Sequence, residues 1–397
     1  MSYGFEFCLP TKVVFGRDAH EKTGALVKEC GGTKVLLHYG SGSVVRNGVL
    51  DLVKASLDAA GVPYAELGGV VPNPHLSKVY EGIDLCRKEG CDFILAVGGG
   101  SVIDSSKAIA YGLRCEGDVW DLFDHKGTAA DCAPVGVVLT IAASGSETSN
   151  SCVITNDLVE PHLKRWYDSE IARARFAVMN PEFTMTLPAY QTAAGCADIM
   201  MHTMERYFTN GGSLEITDAL CEALLRTVKD AALKLVEDPD DYETRAAVMW
   251  AGSLSHDGLM GCGCVGGDGV CHNLEHEVGA LFGVTHGAGL CALWCHWARY
   301  VHSECMYKFK RFAVKVMGVA DTGDDERTVL AGIDAMEEFF RAIGMPTNLR
   351  ELGVEPTEEE IRQMARMCVA SNAPEIGSAK VFHEEDMVRV YQAARGE

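Results

Sequence analysis

Apolar residues recur along this chain in two rhythms. Between Lys12 and about Pro181, short β-favouring runs alternate with stretches of helical texture, and Lys34 to His38, Asp92 to Val97, Val135 to Thr140 and Arg175 to Met179 read as strands. The runs Phe93-Ile94-Leu95-Ala96-Val97 and Val135-Gly136-Val137-Val138-Leu139 lack a polar residue at every second position, which predicts central strands covered on both faces. Such alternation predicts βα units around a mostly parallel sheet. After Thr186-Leu187-Pro188 a 3.6-residue period takes over, and helices are predicted over Ala189 to Phe208, Leu214 to Val236, Tyr242 to Leu259, Val270 to Phe282 and Glu326 to Ile343. The expected architecture is an α/β domain over residues 1–185 and an all-helical domain over 186–397, with a cleft between them as the place for a ligand.

A length of 397 residues agrees with two cores rather than one. A hydrophobic content of 47 % with 23 % charged residues, and no unbroken run of about 20 apolar residues, is that of a folded globular chain without a membrane span. The stretch from Met1 to Thr11 carries no export signal, so a cytoplasmic location is expected. A net charge of −21 repels phosphate backbones and anionic headgroups, which argues against nucleic-acid and membrane partners. The 16 cysteines are scattered through apolar surroundings and read as free thiols. Cys262, Cys264 and Cys271 lack the paired C-x-x-C spacing of a structural zinc site.

Three turns at strand ends are candidates for a dinucleotide. Gly98-Gly99-Gly100-Ser101 follows a strand and opens a helical stretch containing Asp104, so backbone amides and a helix N-terminus can meet a pyrophosphate, although a tight turn has the same composition. Gly40-Ser41-Gly42-Ser43 follows the strand ending at His38. The absence of a carboxylate at Gly40 leaves room for a 2′-phosphate and favours NADP over NAD, with Gly42 and Ser43 completing the turn. The hydroxyl-rich segment Thr140 to Ser149 suits nicotinamide or phosphate contacts, or equally a hydroxyl-capped helix start with Glu147 in its first turn.

Asp198 and His202 are spaced i, i+4 on a predicted helix, which puts both on one face. His272 and His276 repeat that spacing, and His286 follows. One carboxylate with several imidazoles is a donor set for Fe²⁺ or Zn²⁺. Spacing alone leaves His272 and His276 as co-ligands. The remaining histidines lack such partners and are assigned no role.

Together these pieces resemble the iron-containing, or group III, alcohol dehydrogenases, within them the butanol-dehydrogenase-like aldehyde reductases. The motifs run from Pro10-Thr11-Lys12-Val13-Val14-Phe15-Gly16 through Gly98-Gly99-Gly100-Ser101-Val102-Ile103-Asp104, Gly145-Ser146-Glu147 and Asp198-x-x-x-His202-x-x-Glu205 to His272-x-x-x-His276 and His286. The resemblance implies a Rossmann-like dinucleotide-binding domain and a helical metal-binding domain, the architecture shared with dehydroquinate synthases. It implies Asp198, His202, His272 and His286 as ligands of one divalent ion, and His276 beside the nicotinamide. It also implies dinucleotide contacts from Gly99, Gly100, Ser101, Asp104, Thr140, Ser149 and Lys164, and a homodimer. Related reductases commonly carry tryptophan where this chain has Gly269, which leaves the shape of the substrate pocket open.

The expected activity is hydride transfer between NADP, or NAD, and a small primary alcohol or aldehyde. The ion acts as Lewis acid on the substrate oxygen and His276 relays the proton. Two alternatives share the plan: a lyase or cyclase of the dehydroquinate synthase type, which needs basic residues for an anionic substrate, and a non-enzymatic NADP sensor, for which a full ligand set is superfluous.

Overall fold

The computed structural model describes residues 4–211, 214–264, 266–372 and 376–396. Packing divides the chain into two units, one of Cys8–Leu187 with Asp240–Ser253, the other of Met1–Phe7, Pro188–Pro239 and Leu254–Glu397.

Eight strands build the first unit: β1 (Lys12–Phe15), β2 (Val35–Gly40), β3 (Tyr64–Val70), β4 (Phe93–Gly98), β5 (Val135–Leu139), β6 (Ser151–Asn156), β7 (Leu163–Asp168) and β8 (Phe176–Met179). Six form one sheet in the order β1-β8-β5-β4-β2-β3, every neighbouring pair parallel. The helices of this unit are α1 (Thr23–Glu29), α2 (Ser43–Arg46), α3 (Val49–Ala59), α4 (Leu76–Glu89), α5 (Gly100–Gly112) and α6 (Trp120–Phe123).

The continuous apolar strands are explained by which core each side chain enters. Phe93, Leu95 and Val97 join Val35, Leu37 and the α3 residues Leu50, Val53 and Leu57 in one core. Ile94 and Ala96 join Leu36 and the α4 and α5 residues Val79, Ile83, Ile103 and Ile109 in the other. Successive side chains of a strand point to opposite faces, so a strand with helices on both sides has no face left for a polar residue. β2 leads into α3 on one face and β4 into α5 on the opposite face. Their outgoing loops therefore diverge at adjacent strand ends, which opens a crevice at the carboxyl edge of the sheet.

β6 and β7 form a separate antiparallel hairpin in which Lys164 stands opposite Thr155. The segment from Thr140 to Ser149 does not start a helix; it runs through turns directly into β6, so the capped-helix reading is corrected.

The remaining helices are α7 (Ala189–Tyr207), α8 (Glu215–Glu237), α9 (Tyr242–His256), α10 (Val270–Phe282), α11 (His286–Val301), α12 (Met306–Lys315), α13 (Asp325–Ala342), α14 (Glu358–Asn372) and α15 (Glu384–Ala393). The second unit is helical. All of its helices but α9, whose residues up to Ser253 count with the sheet unit, lie wholly within it. Among the described residues no helix is long and apolar enough to cross a membrane. The 16 cysteines are free thiols.

Candidate functional site

In the helical unit, α7 carries Asp198 and His202 one turn apart, α10 carries His272 and His276, and α11 begins at His286. Three imidazoles converge on one oxygen of Asp198. His202 Nδ1 lies 3.3 Å, His272 Nε2 3.7 Å and His286 Nε2 3.7 Å from Oδ1. Donors about 2.1 Å from a tetrahedral metal ion stand about 3.4 Å apart, close to these separations. Asp198 Oδ1 and His272 Nε2 are buried and hydrogen-bond to no described residue. Two orphaned polar atoms facing each other fit a cation and fit little else.

Neighbouring groups set which ring nitrogens face the centre. His272 Nδ1 lies 2.7 Å from the buried Glu205 carboxylate, His286 Nδ1 bonds to the buried Glu275 carboxylate, and His202 Nδ1 lies 3.0 Å from the Asp198 carbonyl. For His272 and His286 the contact holds Nδ1 and turns Nε2 toward Asp198, the usual support for a metal-ligating imidazole, whereas His202 Nδ1 lies near both the carbonyl and the carboxylate of Asp198. Burial lowers the His272 pKa, but the Glu205 and Asp198 carboxylates overcome that and push it up to about 10, a measure of how strongly this cluster attracts positive charge. His202, walled in by burial and by the other imidazoles, is pushed well below the usual range and stays neutral.

His276 is set apart, its ring centroid 6.5 Å from that of His272 and 5.8 Å from that of His286, and it groups with Glu275 and His286 instead. α11 reaches Asp198 because of Gly287, where a Cβ would stand 2.1 Å from the Ala194 carbonyl oxygen; any side chain would force α11 and His286 away from α7. Sequence reasoning did not single out Glu275. A glutamate inside an apolar helical run, three residues after a candidate ligand, was the available signal. His256, also assigned no role, stacks on His202 with ring centroids 4.2 Å apart.

The loop leading into α10 is fastened at Asp268, whose Oδ2 accepts from Ser378 N at 2.9 Å and Ala379 N at 2.8 Å. Burial, reinforced by Glu205, raises this carboxyl to about 7. The folded chain then holds a proton that the unfolded chain releases near about 4, so the group's favourable contribution is present below that pH and is lost as pH rises to about 7. Urea unfolding at about pH 5 and about pH 8 is expected to show a larger loss of stability on going to the higher pH than in Asp268→Asn. Equal differences in the two proteins would mean that Asp268 is ionised throughout.

In the sheet unit, Gly40 ends β2, with Gly42 and Ser43 leading into α2; Gly98 ends β4, and Gly99, Gly100 and Ser101 open α5. A Cβ on Gly100 would lie 2.4 Å from Ser144 Oγ, and one on Gly99 2.9 Å from Ile141 Cβ, so the loops after β4 and β5 touch as closely as backbone permits. No side chain caps α5, which leaves its first amides and positive dipole end to a phosphate. Thr140 pairs through its amide with the Gly98 carbonyl at 3.0 Å and has a buried side chain. Asp104 lies one turn into α5, where its carboxylate accepts from Ser146 Oγ at 2.5 Å and Val153 N at 3.1 Å. Ser149 is fully buried beside Lys107, and Lys164 is buried on β7. The sequence-derived residues thus gather at the ends of β2, β4 and β5, with Asp104, Ser149 and Lys164 behind that edge.

Two family profiles match in tandem: one described as iron-containing alcohol dehydrogenase over residues 10–181, and one described as the C-terminal part of the Fe-containing alcohol dehydrogenase family over 192–395. The chain is 36 % identical to an NADH-dependent butanol dehydrogenase A of Clostridium acetobutylicum, covering 98 % of each chain. It is 33 % identical to an NADPH-dependent aldehyde reductase of Escherichia coli, covering 98 % of this chain and 99 % of the relative. The crystal structure of an NADH-dependent butanol dehydrogenase A from Thermotoga maritima superposes with a TM-score of 0.95 at 37 % identity, over 99 % of each chain.

Proposed function

The chain belongs to the iron-containing alcohol dehydrogenase family, and from that premise we propose that it is a metal-dependent, NAD(P)-linked dehydrogenase and reductase of small, butanol-like primary alcohols and aldehydes. The observation that carries this reading is the convergence of three imidazoles on one buried oxygen of Asp198. Asp198, His202, His272 and His286 would hold one divalent ion, Fe²⁺ or Zn²⁺, which when bound supplies Lewis acidity toward an alcohol or carbonyl oxygen. Glu205 and Glu275 fix the ligand rings. A ring nitrogen of His276 passes the substrate proton toward solvent. The amides at Gly99, Gly100 and Ser101 take the pyrophosphate. Asp104, Thr140, Ser149 and Lys164 complete the dinucleotide site, and Gly40, Gly42 and Ser43 border the ribose. We place the enzyme in the cytoplasm, as a homodimer. The lyase and sensor alternatives give way to the dehydrogenases and reductase that match this chain from end to end.

The test is oxidation of NADPH with butanal by protein stripped of metal and then reconstituted separately with Fe²⁺ and Zn²⁺, with NADH in parallel. Turnover restored by metal supports the proposal. No turnover with butanal or a panel of other aldehydes would overturn it.

The dinucleotide preference turns on Gly40. A Cβ there meets nothing nearer than 3.7 Å, so a larger residue can be introduced without displacing backbone. Gly40→Asp is expected to lower kcat/KM for NADPH at least about tenfold relative to NADH, because its carboxylate repels the 2′-phosphate and accepts from a 2′-hydroxyl. An unchanged ratio would show that the nucleotide is read elsewhere.

A further inference from the structure

Lys107 is a fully buried lysine on α5, two turns past the phosphate-facing end of that helix. Its Nζ donates to the carbonyls of Ser149 at 2.9 Å and Ser151 at 2.8 Å, and to Ser146 Oγ at 3.2 Å. A fourth oxygen, Ser149 Oγ, lies at 3.5 Å, so an ammonium with its three protons serves this set better than a neutral amine with two. Asp104, one turn earlier on the same helix, takes Ser146 Oγ and Val153 N from the same segment. Both side chains of α5 therefore grip residues 146–153. The segment itself begins at the left-handed Gly145, where φ is +65°, and is also held by Arg173, which donates to the Thr148 carbonyl, and by Ser253, whose Oγ donates to Glu147 at 2.5 Å.

An ammonium without surface exposure is costly to desolvate, and an apolar side chain of similar length would fill the same volume without that cost. What the charge adds is a fixed geometry. Its acceptors lie on the loop after β5 and at the first residue of β6, a segment that, on the reading given above, lies along the dinucleotide. We propose that Lys107 is a positioning residue for the dinucleotide: its ammonium locks the loop that follows β5 onto α5, so that the loop and the phosphate-binding helix end present one preformed surface. The inference rests on the dinucleotide reading of the sheet unit.

Fluorescence titration of the metal-loaded enzyme with NADPH, in the absence of aldehyde, tests it. Lys107→Met is expected to weaken NADPH binding about tenfold, and in turnover to raise KM for NADPH while leaving KM for butanal and metal content unchanged. A purely structural lysine would lower the melting temperature but leave the dissociation constant of the folded fraction unaltered, and that result would overturn the proposal. If Lys107→Met does not fold, Ser146→Ala, which removes one acceptor and one Asp104 contact, is expected to weaken NADPH binding severalfold, and an unchanged constant overturns the proposal equally. Failure of the unaltered enzyme to bind either NADPH or NADH would instead overturn the dinucleotide reading, and the inference with it.

Discussion

Replacing Asp198 by alanine is expected to abolish metal retention and turnover together, with kcat/KM falling by roughly 10³-fold or more. Its Oδ1 lies within 3.7 Å of all three converging imidazoles, and without it the centre loses the carboxylate that stands among the ligand nitrogens to balance a divalent ion. Metal content after dialysis and steady-state rates on the same preparation are the measurements to make. A graded response distinguishes ligand from support. Glu205→Gln keeps the shape beside His272 Nδ1 but removes the charge, and is expected to weaken metal affinity about 10- to 100-fold in a chelator competition while turnover at saturating metal persists. An Asp198→Ala protein that kept both metal and rate would sink the assignment of this cluster as the catalytic centre.

The second large effect concerns folding. Lys308 on α12 and Asp218 on α8 form an ion pair whose side chains are each only 3 % exposed, with the ammonium 4.9 Å from the centre of the Tyr207 ring. Lys308→Met leaves Asp218 as a buried carboxylate without its partner, which is expected to cost about 3–5 kcal/mol and lower the melting temperature by roughly 10 °C. The double variant Lys308→Met, Asp218→Asn is expected to recover much of that loss, since it removes the stranded charge. Calorimetry of the two variants and the parent settles the matter. A loss below about 1 kcal/mol for the single variant would mean that water reaches the pair after all.

How far the sequence could be read depended on how each element earns its stability. The central strands were legible because two cores compete for their side chains, and nothing polar can survive at residues such as Ile94 or Leu95. Helix α10 was legible to the residue, from Val270 to Phe282. The β6–β7 hairpin escaped notice because β7 buries Lys164 and Arg165, so charge hid a strand that is inside the protein. Strand β3 lies at the sheet edge and contains Gly68 and Gly69, which reads as a turn. Helix α11 was hidden by its start, Gly287-Ala288-Gly289, small residues selected by close packing rather than by helix propensity. At the site, the pairing of Asp198 with His202 could be seen in their spacing. That His272, rather than His276, groups with Asp198 and His202 could not, because His272 and His276 share a helix face and the position of α7 tells them apart.

The sheet unit includes Asp240–Ser253, and this has a consequence for how the protein is made. Its last sheet strand, β8, is complete at Met179, but Arg245, which donates to the Thr184 carbonyl, and Ser253, which caps Glu147 and accepts from Thr148, are synthesised later. At ribosomal speeds of ~5–20 residues per second the roughly 70 intervening residues take about 4–15 s to emerge. During that interval the segment Thr140 to Ser149 is held by Asp104, Lys107 and Arg173 but lacks its contacts to Ser253. This chain therefore cannot finish its amino-terminal half before beginning the other, and a gene fragment ending at Leu187 would yield a sheet whose turn keeps its contacts to Asp104, Lys107 and Arg173 but lacks those to Ser253.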